Sequence, residues 1–179
     1  MFKKAFVLLV TSVAFSAASS AQQGVNPQPQ TVGVETLEHT VLEGYFVKNT
    51  IPNSKAEVEG LVITSQKGFD NYFGMATTMT TKPTSVNFKT HNVIALIGKE
   101  SSSPSTFVQE NLSQVVGPNA PIRLEAAYNI GAKSTYTSRA VYLVAVPKKL
   151  KLTTTWAKAL AVVKIGKKEP KSIALKLIK

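Results

Sequence analysis

Hydrolytic and metal chemistry draws mainly on histidine, carboxylates and cysteine. This 179-residue chain has two histidines, His39 and His91, one aspartate, Asp70, and no cysteine. His39 stands among Glu35, Glu38 and Glu43, a set that offers carboxylate and imidazole together, but the spacing matches no ligand motif. His91 follows Lys89 and Thr90 at the entry to an apolar run, the ordinary place for an exposed structural histidine. A Ser–His–Asp triad would have to pair Asp70 with one of these histidines, and no serine occupies a Gly-x-Ser-x-Gly elbow. There is neither a phosphate-binding loop nor a dinucleotide fingerprint. The absence of cysteine excludes disulfides, thiolate metal sites and lipid attachment at a leader cysteine. These residues predict a protein that is not an enzyme and that holds no metal or cofactor.

The rest of the sequence reads as a scaffold of strands. Val93, Ile94, Ala95, Leu96 and Ile97 run without a polar break, three of them β-branched, and Gly98 stops the run. A short run of this composition predicts a strand covered on both faces. Residues 36–48 predict one or two strands and residues 57–64 another. Ser65 is placed as a helix N-cap, with Phe69, Tyr72, Phe73 and Ala76 following at spacings of three and four. Those aromatics form either a binding face or, as favoured here, the apolar face of a helix that covers a sheet. Residues 107–116 predict a strand with Val108, Leu112 and Val116 on one side. Ile122, Leu124, Ala126, Tyr128 and Ile130 alternate with more polar neighbours, the period of a half-buried strand. Residues 131–134 predict a hairpin turn and residues 140–146 an inner strand. Residues 150–156 predict a further strand, and 159–165 with 172–178 predict a hairpin across the turn at 166–170. The expected fold is all-β, a mainly antiparallel sandwich or open barrel, with one short helix around 66–76.

Charge and hydropathy give the chain an address. Lys3 and Lys4 precede an apolar stretch, and Ser19, Ser20 and Ala21 supply small residues, so residues 1–21 predict a secretory signal. The domain layout is then a signal at 1–21, a Gln- and Pro-rich flexible leader at 22–34, a β domain at 35–149 and a lysine-rich strand or hairpin at 150–179. Export across the inner membrane to the periplasm or beyond follows, with no membrane span in the mature chain. The formal net charge is +11. Residues 22–147 carry nine basic and nine acidic side chains, whereas residues 148–179 carry ten lysines against Glu169 alone. Lys148, Lys149, Lys151, Lys164, Lys167 and Lys168 are therefore the candidate contacts to an anionic envelope surface or polymer. On a hairpin at the edge of a sheet, such lysines would also discourage edge-to-edge pairing. Nucleic acid is the weakest of the partner classes: Arg123 and Arg139 lie outside the tail, Trp156 is its lone stacking aromatic, and lysine reads bases poorly.

Over residues 58–149 the order of features resembles the C-terminal domain of the protease-complex subunit PrcB family, secreted bacterial β domains. The resemblance rests on a strand ending Ile63-Thr64-Ser65 and a short helix carrying Phe69, Tyr72 and Phe73. Pro83, Asn87-Phe88 and the strong strand to Gly98 follow, then a polar loop and a strand ending Val146-Pro147. Asn87-Phe88 stands where the family has Asp-Phe. The family's Gly-rich loop is replaced by Ser101, Ser102, Ser103, Pro104, Ser105 and Thr106. The resemblance implies a non-catalytic accessory subunit of a secreted protease and supplies no catalytic residues.

The sequence thus predicts a secreted protein-binding β domain, with a protein partner such as a protease. An inhibitor-like module acting through loops and a module for an anionic surface stand as alternatives. The candidate binding loops are Ser101 to Thr106 and the segment containing Lys133 and Ser134.

Overall fold

The computed structural model describes residues 34–76, 82–115, 122–148 and 160–179. The expected signal, the leader up to residue 33, the turn at 117–119 and the strand at 150–156 lie outside these residues; Val34, the last residue of the expected leader, opens the first strand. In chain order the described elements are β1 (Val34–Thr36), β2 (Thr40–Val41), β3 (Tyr45–Val47), β4 (Val58–Ile63), α1 (Gln66–Tyr72) and β5 (Phe73–Met75). They continue with β6 (His91–Gly98), β7 (Ser105–Val115), β8 (Ile122–Ile130), β9 (Val141–Pro147), β10 (Leu160–Ile165) and β11 (Lys171–Ile178). The fold is all-β with one short helix, built on a large curled sheet in the form of a half-barrel.

Nine strands make the sheet, in the order β1-β7-β8-β10-β11-β4-β6-β9-β2. β10 runs parallel to β8 and β11 parallel to β4; every other pairing is antiparallel. β1 and β2 stand at opposite ends of that order, yet only residues 37–39 separate them. Three linking residues span little more than 10 Å, so the sheet curls until its two rims meet at this strap. The strap pairs with β7 through its first half and with β9 through its second. Leu37 N–H donates to Leu112 O at 3.0 Å and Leu42 N–H to Leu143 O at 2.9 Å.

Period-two alternation sorts the side chains into two cores. Inside the curl lie Leu37, Val58, Val62, Ile94, Leu96, Leu112, Val144 and Val163, together with the inward residues Ile122, Leu124, Ala126 and Tyr128 of β8. The opposite residues of β4, β6 and β9 (Leu61, Ile63, Val93, Ala95, Ile97, Leu143 and Ala145) pack outward beneath α1 and the β3–β5 ribbon. β6 is buried on both faces for this reason, as its unbroken apolar run predicts.

α1 begins as expected: Ser65 Oγ accepts from Gly68 N–H at 3.0 Å and the Ser65 backbone is extended. It ends sooner than Ala76. Phe73 still donates its N–H to Phe69 O, but Phe73–Met75 then become β5 and pair with β3. The aromatic face is a core lid. Phe69 and Phe73 are buried, with the Phe69 ring 5.0 Å from Tyr45 edge-on, 5.1 Å from Phe73 and 5.6 Å from Phe88.

Three further expectations are corrected. Val108 and Leu112 do not share a side: the register shifts between Gln109 and Asn111, so Leu112 is buried while Val108 is 51% exposed. Residues 131–134 do not turn a hairpin, because β8 and β9 pair with other strands. The lysine-rich hairpin is not at an edge. β10 and β11 are inserted between β8 and β4 in the sheet order, β11 pairing with β10 through Lys171–Ala174 and with β4 through Leu175–Ile178, so the hairpin lies inside the sheet and not at its rim. Among the described residues no helix is long and apolar enough to cross a membrane.

Candidate functional site

Strand direction decides which loops meet. β6 and β8 end, and β4, β7, β9 and β11 begin, at the same end of the curled sheet. Residues 52–57, 99–104, 131–140 and 166–170 are therefore gathered there. Hydrogen bonds tie them together. Glu100 N–H donates to Asn53 Oδ1 at 3.1 Å and Lys99 N–H to Glu57 O at 2.9 Å. Ser101 and Ser138 exchange backbone bonds of 3.0 Å each, and Gly166 N–H donates to Tyr128 O at 3.0 Å.

The two loops singled out by sequence are one unit in space. Ser134 N–H donates to Ser102 O at 2.6 Å. Ser134 Oγ lies 2.8 Å from the carbonyl oxygens of Ser102 and Tyr136 and donates to one at a time. Ser103 N–H donates to Ser101 Oγ at 3.0 Å, and Gly131 N–H to Pro104 O at 2.7 Å. Ser105 opens β7, where its hydroxyl lies 2.8 Å from Tyr128 Oη, and Thr106 is exposed on the same strand. Lys133 is exposed at the loop tip. These side-chain-to-backbone bonds of the serines hold the loop in place.

The candidate lysines divide. Lys167 and Lys168 are exposed in the β10–β11 turn and belong to the loop end, while Lys164 is exposed on the outer face of β10. Lys148 is at the opposite end, half-buried, where Nζ donates to Phe88 O at 2.6 Å and to Thr64 O at 3.4 Å; it cannot share a surface with the turn lysines. Lys149 and Lys151 lie outside the described residues. Lys168 Nζ is paired with Glu57 Oε1 at 3.0 Å. That hydrogen bond and charge, with Lys171 and Lys99 adding theirs, hold the Glu57 carboxyl below the usual carboxylate range.

The two histidines and Asp70 each have other hydrogen-bond partners. His39 Nδ1 lies 2.8 Å from Leu37 O and His91 Nδ1 2.8 Å from Thr90 Oγ1, whereas Asp70 Oδ1 accepts from Gln66 Nε2 at 2.8 Å. Neither histidine is hydrogen-bonded to Asp70, and among the described residues no group of three or more His, Asp or Glu side chains is placed to hold a metal ion.

Two clefts flank Glu100. One, of about 220 Å³, is lined by Glu57, Lys99, Ser101, Ser105 and Ile130. The other, of about 540 Å³, lies between the β3 segment (Phe46, Val47, Asn49) and Thr137, Ser138 and Arg139. Glu100 is fixed between them: Oε1 accepts from Thr137 Oγ1 at 3.0 Å and Oε2 from Asn53 Nδ2 at 3.4 Å. Sequence reasoning passed over Phe46, Glu100 and Arg139 as site residues. The one signal was that Arg139 is among only two arginines and is set just before an inner strand.

Comparison with known proteins found no match to a family model, to a curated protein or to a solved structure.

Proposed function

We propose that this chain is a secreted, non-catalytic β domain that binds a protein partner through the loop end of its half-barrel, in the manner of an accessory subunit of a secreted protease. The observation that carries the reading is the cross-linking of residues 99–104 to residues 131–139, which makes a firm polar platform out of two loops. Around it stand half-exposed or exposed apolar side chains, Phe46 at 46%, Ile130 at 54% and Tyr136 at 62%, the mixture of apolar anchors and polar rim on which protein interfaces are built. Preordered loops lose little entropy on docking. The resemblance to the PrcB family supplies the protease as the first partner to try.

The test is a pull-down from the host's envelope and secreted fractions with immobilised residues 22–179, washed at high salt to strip partners held by lysine charge alone. The expected result is a retained protein that a Lys133→Ala/Tyr136→Ala variant captures at least tenfold less well, with its thermal unfolding unchanged. Equal capture by the variant overturns the loop end as the binding surface. An activity assay on a captured protease separates an accessory role, which raises or leaves its rate, from an inhibitory one.

The exposed lysines of the β10–β11 hairpin (Lys164, Lys167, Lys171 and Lys176) support a second reading, docking on an anionic polymer. That reading requires binding that weakens steeply with salt. Binding unchanged between low and high salt overturns it.

A further inference from the structure

Among the described residues no strand pairs with the outer edge of β3. Lys48 N–H donates to Tyr72 O at 2.9 Å and Ala76 N–H to Gly44 O at 2.8 Å, so the even-numbered residues of this segment turn their backbone groups toward β5. In an antiparallel ladder successive residues point their N–H and C=O groups to opposite sides. Tyr45 and Val47 therefore turn theirs away from β5; on that side Glu43 O already accepts from Thr84 N–H at 3.2 Å, and Val47 is 6% exposed, so the unpaired stretch is the short one from Tyr45 to Val47, where β3 pairs with no other strand among the described residues. Val47 lines the 540 Å³ cleft, and the wall facing it carries Arg139.

Arg139 is a cation without an anion. Its Nη1 donates to Ile51 O at 2.9 Å and its Nη2 lies 3.4 Å from Pro52 O, while Nε is buried with no partner. The ion pairs among the described residues are Arg123–Glu125 and Lys168–Glu57, and neither involves it. A guanidinium has five N–H donors in a planar fork suited to a carboxylate. Here two of the five are used, both on neutral carbonyls. Phe46, half-exposed on the same cleft, supplies an apolar wall.

We propose that the cleft between β3 and Arg139 takes an extended acidic segment of the partner protein as an added strand, with an Asp or Glu side chain of that segment on the Arg139 guanidinium. This rests on the reading of the chain as a protein-binding domain and names the chemistry of what it binds. Backbone pairing to an exposed strand edge supplies affinity with little sequence preference, and a pocket for alternate side chains supplies the choice. Glu100 lines the same cleft and opposes a second carboxylate near Thr137, so it sets where along the strand the acidic residue sits.

The experiment selects linear decapeptides from a random phage-displayed library on immobilised residues 22–179. The expected outcome is a consensus with one acidic position flanked by β-branched residues. A synthetic consensus peptide should bind at least tenfold more tightly than its copy with that residue changed to Gln or Asn. On Arg139→Gln the two peptides should bind equally, at the weaker level. Arg139→Lys keeps a cation for the Ile51 and Pro52 carbonyls but lacks the fork, and should recover only part of the difference. Glu100→Gln should tighten binding several-fold, and N-methylation of alternate peptide amides should abolish it. A consensus without an acidic position, equal binding of both peptides to the wild-type chain, or no binder at all overturns the proposal. The failures separate: a partner captured at high salt equally by wild type and Arg139→Gln removes the cleft while leaving the protein-binding reading, and no captured partner removes the reading itself.

Discussion

Tyr142 on β9 donates its phenolic hydrogen to Gln109 Oε1 on β7, although five strands lie between β7 and β9 in the order of the sheet. The two strands meet because the strap formed by β1 and β2 draws the rims together. Gln109 also reaches the strap, its Nε2 lying 2.8 Å from His39 Nε2, while His39 Nδ1 lies 2.8 Å from Leu37 O. A carbonyl accepts only, so His39 donates from Nδ1 and accepts at Nε2. The donors then run in one direction, from Tyr142 to Gln109 to His39 to Leu37. One polar relay stitches β9, β7 and the strap where the inner core meets its seam.

Tyr142→Phe removes the first donor and leaves Gln109 Oε1 without its partner at a half-buried position. The loss should be about 1–2 kcal/mol of unfolding free energy, read from the urea midpoint. Adding Gln109→Leu removes that orphaned oxygen but also takes the donor from His39 Nε2, so the pair should recover little of the loss.

The same phenol sets an alkaline limit. Burial pushes the Tyr142 hydroxyl up to about 12 from its usual 10.0. The unfolded chain releases that proton at lower pH than the folded one, so the contribution of Tyr142 is complete below about pH 10 and is lost as pH climbs toward about 12. Absorbance titration of the tyrosinates should show a late step near pH 12 that Tyr142→Phe removes. A late step that persists in the variant would refute the assignment.

Leu37 is the apolar counterpart of the relay, 3% exposed in the inner core on a strap whose strands are three and two residues long. Leu37→Ala should cost about 2–4 kcal/mol from lost burial and the cavity left behind. Because strap pairing is so short, hydrogen exchange in the variant should accelerate first at the Leu37 and Leu42 amides and at the facing rims of β7 and β9. Uniform acceleration over the whole sheet would mean that the strap is no separate closing element.

Much of this was legible along the chain and little of it across it. The alternation at residues 122–130, the double-sided run at 93–97 and the Ser65 cap are local patterns, and each appears where its period or its cap chemistry puts it. Ile130 breaks the alternation only because β8 has by then reached the exposed loop end. Pairing partners are not local. Nothing in residues 160–178 announces parallel neighbours on both sides, and the shift between Gln109 and Asn111 turns Val108 outward without any glycine to mark it. The loops were visible as polar segments, but their union at one end depends on strand direction. Arg139 became a site residue only once residues 51 and 52 were placed beside it.

Gly98 ends β6 beneath an aromatic ring. A Cβ there would stand 2.5 Å from Tyr128 Oη and 3.0 Å from two of its ring carbons. Gly98→Ala should therefore cost about 1–3 kcal/mol through overpacking. It should also disturb the contact of Tyr128 Oη with Ser105 Oγ at the root of the binding loop. Tyr128→Phe removes the closest atom, so the double variant should be less destabilised than the sum of the two singles. Strict additivity would mean that the ring moves aside freely.

Glu57 and Lys168 join the residue 52–57 loop to the β10–β11 turn at the loop end. The hydrogen bond and charge of Lys168 depress the folded-state titration of Glu57, so its contribution is present above the ordinary carboxylate range and is lost as pH falls through the lowered value. The pair is solvent-exposed, so the effect on global stability should be slight, and the place to look is the carboxyl itself. Carbon-detected NMR titration should put the Glu57 midpoint below the ordinary glutamate value. Lys168→Ala should raise it by more than Lys171→Ala or Lys99→Ala, since Lys168 alone adds a hydrogen bond to its charge. Equal shifts from all three would leave only a general positive field, and the loop and turn would then have no specific tie.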